Sequence, residues 1–170
     1  MEPFKNHFNR KSVGQIASSI HKVYPPFKSA DFLKKVLPLL ENEELKGRVR
    51  TISAVMHEFL PEFPRAAKIL RASIQSKKNP EGLSGFSAWP LTQYVEDFGL
   101  DHWEESMAAL REITAAMSAE IAIRPFLIQE REKTLGLLKQ WSSDPNMHVR
   151  RLCSEGSRPL LPWGQRLKDV

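Results

Sequence analysis

The 170-residue chain carries 25 Lys and Arg against 20 Asp and Glu, a formal charge of +5, with 41% hydrophobic and 26% charged residues. That balance fits a folded globular domain and excludes wholesale disorder, and a lone cysteine, Cys153, excludes a disulfide scaffold. No apolar run approaches the roughly 18 residues of a bilayer span and no apolar stretch follows Met1-Glu2-Pro3-Phe4-Lys5, so neither a spanning helix nor a secretory leader is expected and the cytoplasm is the expected compartment.

The apolar period is helical along nearly the whole chain. Val13, Ile16, Ala17, Ile20 and Tyr24 make a first stripe that Pro25 and Pro26 stop. Ser29 is expected to cap a second helix carrying Phe32, Leu33, Val36, Leu37 and Leu40, with Pro38 near its end. A third helix is predicted over about 43–60, with Leu45, Val49, Ile52, Val55, Met56 and Phe59 inward. Pro64 is placed to open a fourth, with Ala67, Leu70 and Ile74 facing the core. Residues 76–88 are rich in Gly, Ser, Asn and Pro and read as a loop. Helical spacing resumes over 89–98 and Gly99 ends it; Asp101 is expected to cap a long helix reaching Met117. Ser118 is expected to cap a short helix that Pro125 interrupts, and another helix follows over about 130–141. Asp144-Pro145 reads as the next helix start and Gly156 as its stop.

No segment alternates at period two long enough for a strand, so the fold class is all-α. About eight or nine short helices with brief connections point to one domain over 1–170, a HEAT-like α-solenoid of antiparallel helix pairs. An irregular helical bundle accommodates the same pattern. The charge is uneven: residues 1–80 hold 15 basic and 7 acidic side chains, residues 81–140 hold 5 and 10, and residues 141–170 hold 5 and 3. Basic flanks around an acidic middle suit a polyanion held beside carboxylates, although a solvated surface accounts for the same counts.

Metal chemistry is not expected. His7, His21, His57, His102 and His148 are scattered, and one cysteine cannot anchor a zinc site. No cofactor-binding pattern is present either: Gly82 and Gly85 lack the Lys-Ser or Lys-Thr of a phosphate loop. Chemistry concentrates in two stretches. Over 144–163, Val149, Leu152 and Cys153 turn inward, while His148, Arg151 and Glu155 share another face and Arg151 and Glu155 stand at pairing distance. Arg158 and Trp163 follow at once. A solvated Arg–Glu pair beside a buried tryptophan is the plain alternative. Over 118–127, Glu120 stands among apolar residues next to Pro125, either partly buried or serving as a first-turn glutamate.

Trp89-Pro90-Leu91, Gly99-Leu100-Asp101 and the run Ser118-Ala119-Glu120-Ile121-Ala122-Ile123-Arg124-Pro125-Phe126-Leu127 resemble AlkC-type DNA alkylation repair proteins. So does the stretch from Trp141 through Asp144-Pro145-Asn146, His148-Val149-Arg150-Arg151-Leu152 and Ser154-Glu155-Gly156-Ser157-Arg158-Pro159 to Pro162-Trp163. The resemblance covers roughly residues 85–163. It implies a HEAT-like solenoid that removes N3-methylated, cationic bases from duplex DNA without cofactor or metal, associated with the nucleoid. It further implies that Glu120 and Glu155 are the active-site acids and that Arg151 and Trp163 lie beside the lesion. Arg150, Arg158 and His148 would join them on the DNA. Members of that family continue past the Pro-Trp motif, so the chain is expected to lack a C-terminal part. A catalytically inactive DNA-binding fragment and a protein-binding scaffold are the rival readings.

Overall fold

A computed structural model of the chain describes residues 3–168. After a 3-10 turn at Phe4–His7, nine α-helices follow among the described residues: α1 Arg10–Val23, α2 Ser29–Leu39, α3 Leu45–His57, α4 Phe63–Ser73, α5 Trp89–Phe98, α6 Trp103–Ile113, α7 Arg124–Gln129, α8 Arg131–Trp141 and α9 Met147–Gly156. No strand forms among them; the 76–88 loop carries isolated bridges, Ile74 to Leu83 and Ser76 to Asn79, and a 3-10 turn at Gly85–Ala88. None of the helices is long and apolar enough to cross a membrane.

The helices stack in two layers. In one, α1 packs on α4 and α4 on α6; in the other, α3 packs on α5 over the most extensive contact in the molecule. The pairs α1 with α2, α2 with α3 and α5 with α6 join the layers, and α7, α8 and α9 follow in sequence. One continuous apolar core results, because each helix presents a single stripe and each stripe finds a neighbour's. Phe27, Phe32 and Phe59 illustrate the packing, with ring centroids 5.3–6.0 Å apart. Each such ring withdrawn from water contributes about 1.5–3 kcal/mol.

Helix ends are where the structure departs from the expectations. Asn9 caps α1, accepting from the Lys11 and Ser12 N–H groups while Ser12 answers in a capping box. Ser29 is not a cap: it lies inside α2 and donates to the Ala17 carbonyl instead. The third helix is shorter than predicted, and α6 ends at Ile113 rather than Met117, with His102 rather than Asp101 at its N-cap position. Pro125 does not interrupt a helix; it sits in the first turn of α7, where its missing N–H has no partner to lose. Asp144 does not cap α9. Asn146 does, accepting from the His148 N–H, while Asp144 accepts from Asn146 N–H and from Arg111. That N–H and the guanidinium hold the Asp144 carboxyl below the usual carboxylate range. Ser29 and Asp144 depart from capping because a neighbouring helix supplies each a partner, the Ala17 carbonyl and the Arg111 guanidinium.

Gly99 shows how close the layers approach. A methyl there would lie 2.6 Å from the Val95 carbonyl and 2.7 Å from the Phe63 ring, and would strike the Ser106 hydroxyl that bonds the Gly99 carbonyl at 2.8 Å. The tight joint between α5 and α6 therefore requires glycine.

Candidate nucleic-acid interface

Glu120 lies in the irregular turn between α6 and α7. Its Oε2 accepts from the Ser118 hydroxyl at 2.8 Å and stands 3.7 Å from Arg151 Nη2 on α9. Ser118, expected as a helix cap, thus orients the carboxylate instead. Glu155, one turn further along α9, pairs with Arg158 at 2.9 Å. The expected Arg151–Glu155 pair does not form. Arg151 reaches across to Glu120, because the end of α9 backs directly onto the Glu120 turn. The contact is close: a methyl at Gly156 would lie 2.6 Å from Ile123 Cγ2 and 3.5 Å from the Glu120 carbonyl.

The two carboxylates thus come from separate elements that pack against each other along one seam. Each remains about one-fifth exposed, while the guanidinium groups of Arg151 and Arg158 are mostly in solvent. Exposed ion pairs of this kind add little to stability. What they do is hold two anionic groups at the surface beside two largely exposed cationic ones.

Beyond Gly156 the chain forms a strap over 157–167, closed on itself by the Leu167 N–H donating to the Pro159 carbonyl at 3.0 Å. Its anchor is Arg124, the largest fully buried side chain. Arg124 Nη1 donates to the carbonyls of Gly156 and Arg158, each at 2.8 Å, Nη2 to that of Pro159 at 3.1 Å, and Nε to that of Gln165. No carboxylate is among these partners. The planar fork suits four divergent carbonyls in a way that an ammonium cannot. The motif around Arg124 does not by itself assign it a role. The signal was available: one arginine inside Ile121-Ala122-Ile123 and Phe126-Leu127 must be buried, and a buried charge must be paired.

At the strap's tip stands Trp163. It is not the buried tryptophan of the plain alternative: it is 60% exposed, with its ring 5.7 Å from that of Trp89. Its φ is +63°, a left-handed conformation that strains a bulky residue by about 1–3 kcal/mol. Its carbonyl accepts from Lys46 on α3. His148 and Arg150 are not drawn to the carboxylates. His148 is exposed near the start of α9, and Arg150 donates to the Asp144 and Pro145 carbonyls at 2.8 and 3.0 Å. Arg150 thus braces the head of its own helix. Among the described residues no group of three His, Cys, Asp or Glu gathers as a metal would require.

No protein-family model matches the sequence. It is 40% identical, over 98% of its length, to the uncharacterized protein YhaZ of Bacillus subtilis (strain 168). The fold matches a solved structure of Pseudomonas fluorescens alkylpurine DNA glycosylase AlkC bound to DNA containing an abasic site analogue. There the TM-score is 0.88 and the identity 39%, over 98% of this chain. The chain spans 46% of the length of each of these two proteins.

Proposed function

From the premise that this chain belongs with the AlkC-type helical-repeat proteins, we propose that it acts in DNA alkylation repair, hydrolysing the N-glycosidic bond of cationic N3-methylated bases in duplex DNA. The observation that carries this reading is the seam itself. Glu120 and Glu155 come from different elements, each partly accessible and each paired with an arginine, and the strap that follows α9 carries the exposed Trp163.

The chemistry needs little more. A base methylated at N3 already bears a positive charge and leaves as a neutral molecule, so no general acid is required. The sugar left behind develops oxocarbenium character. A carboxylate fixed beside it stabilises that charge and orients the attacking water, as carboxylates do in glycoside cleavage. Ser118 and Arg151 fix Glu120, and Arg158 fixes Glu155, so neither must reorganise as charge appears. The exposed edges of the paired Arg151 and Arg158 also meet phosphates, giving affinity without sequence preference. The Trp163 indole stacks near the lesion and attracts a cationic base with about 0.5–2 kcal/mol of cation–π energy.

The test is release of 3-methyladenine from methylated duplex DNA by wild type, Glu120→Gln and Glu155→Gln. Release by wild type should fall by at least about a hundredfold in each variant, the scale of losing one preorganised electrostatic group. Undiminished rates in both variants would end the proposed mechanism. Salt-sensitive duplex binding with no base release by wild type would instead select DNA binding without cleavage.

A further inference from the structure

Lys46 opens the first turn of α3, far in sequence from the strap, yet its ammonium donates to the carbonyl of Trp163. A partly buried lysine on a surface that meets DNA is ordinarily read as a phosphate contact. Here its ammonium bonds a backbone carbonyl, and that carbonyl belongs to the only non-glycine residue with positive φ among those described. Trp163 is held from three sides: Arg124 gathers the strap's base, Trp89 meets the indole at 5.7 Å, and Lys46 fastens the tip. The Gly164 N–H closes the turn around Trp163 onto the Leu161 carbonyl at 3.1 Å, but beyond that bond only the Trp89 ring and the Lys46 ammonium tie the tip to the helices. A residue held in a strained conformation persists only where its surroundings enforce it.

The groups around Lys46 suit such a fastening. Arg50 lies on its own helix, and Glu96 and Asp97 face it from α5. Asp97 is already engaged, accepting from Ser53 at 2.9 Å and Gln93 at 2.8 Å. Burial lowers the Lys46 ammonium from its ordinary range, and Glu96 and Asp97 oppose that lowering while the ammonium donates to the strap.

We propose that Lys46 is a positioning residue: it latches the tip of the 157–167 strap to α3 and thereby presents the Trp163 indole to DNA. The second half of that statement rests on the DNA reading above; the first half does not.

Lys46→Met keeps the aliphatic stem and removes the donor, whereas Lys46→Arg keeps a donor. In DNA-free protein, the Trp163 indole N–H resonance, identified by its disappearance in Trp163→Phe, should shift or broaden in Lys46→Met and return toward the wild-type position in Lys46→Arg. Urea unfolding of each variant checks that the fold is intact, with Lys46→Gln as the substitute if the methionine variant does not fold. Binding is then measured to a duplex carrying a tetrahydrofuran abasic analogue across a salt series. Lys46→Met should bind about tenfold more weakly, the scale of one lost aromatic stack, with the slope of affinity against salt unchanged. An unmoved indole resonance overturns the latch. A slope reduced by about one, as when a phosphate contact is lost, overturns it in favour of direct contact with DNA. If wild type does not bind the duplex, the DNA reading fails, and the indole resonance alone decides whether Lys46 holds the strap.

Discussion

Replacing Arg124 with methionine removes a fully buried guanidinium while keeping much of its length and apolar contact. Four donated hydrogen bonds disappear, to Gly156, Arg158, Pro159 and Gln165. At about 1.5–3 kcal/mol for each bond to a charged donor, the gross loss is about 6–12 kcal/mol. Most of it is recoverable. The Arg158, Pro159 and Gln165 carbonyls belong to the strap, which can lift so that they meet water. The Gly156 carbonyl belongs to the last residue of α9, whose bond is buried and whose Cα is pinned against Ile123. The expected net loss is therefore about 3–5 kcal/mol, in the range for removing one side of a buried charged contact. It should appear first as local opening. Hydrogen exchange at the Leu167 N–H, which closes the strap onto Pro159, should accelerate by a hundredfold or more, and base release should fall with it as Glu155 and Trp163 lose their common support. Arg124→Lys should rescue only part, since three donors on one nitrogen cannot reach four divergent carbonyls. A methionine variant within about 1 kcal/mol of wild type, with Leu167 still protected, would refute this account of the strap.

Burial, aided by the neighbouring Asp97 and opposed by Lys46 and Arg50, pushes the Glu96 carboxyl from 4.5 up to about 7. The folded state therefore favours its proton, an advantage present below pH 4.5 and lost as pH rises through about 7. Glu96→Gln should match wild type near pH 5 and exceed it by about 2–3 kcal/mol at pH 8.5 in urea unfolding; parallel pH profiles contradict the assignment. Gly99→Ala would drive a methyl against the Val95 carbonyl and the Phe63 ring and should lower stability by about 2–4 kcal/mol in the same assay. A neutral result there means that the α5–α6 joint is looser than described.

How far the sequence led depends on the kind of residue. Apolar stripes were legible wherever a helix hides one face: Val13, Ile16, Ala17 and Ile20 on α1, and Val149, Leu152 and Cys153 on α9, are buried as spacing predicts. Glu120, Arg151, Glu155 and Trp163 were named from a motif resemblance. Their arrangement was not legible, because hydrogen bonds between distant helices leave no periodic trace. Ser29, Ser118 and Asp144 each look like a helix cap by local chemistry, yet Ser29 and Asp144 bond groups on other helices and Ser118 bonds Glu120 within its own turn. Arg151 and Glu155 stand one turn apart and do not pair, because Glu120 and Arg158 offer each a partner.

Helicity, the position of most turns and the core-facing side of each helix follow from residue order alone. Those properties depend on residues within a turn or two of one another, so period and proline placement suffice. Which polar side chains meet was settled by the packing of the helices. It drew Glu120 to Arg151, closed the strap around Arg124 and set Trp163 upright against Trp89 and Lys46. Those contacts join residues from distant parts of the chain, and their geometry exists only once the packed layers hold the helices in place.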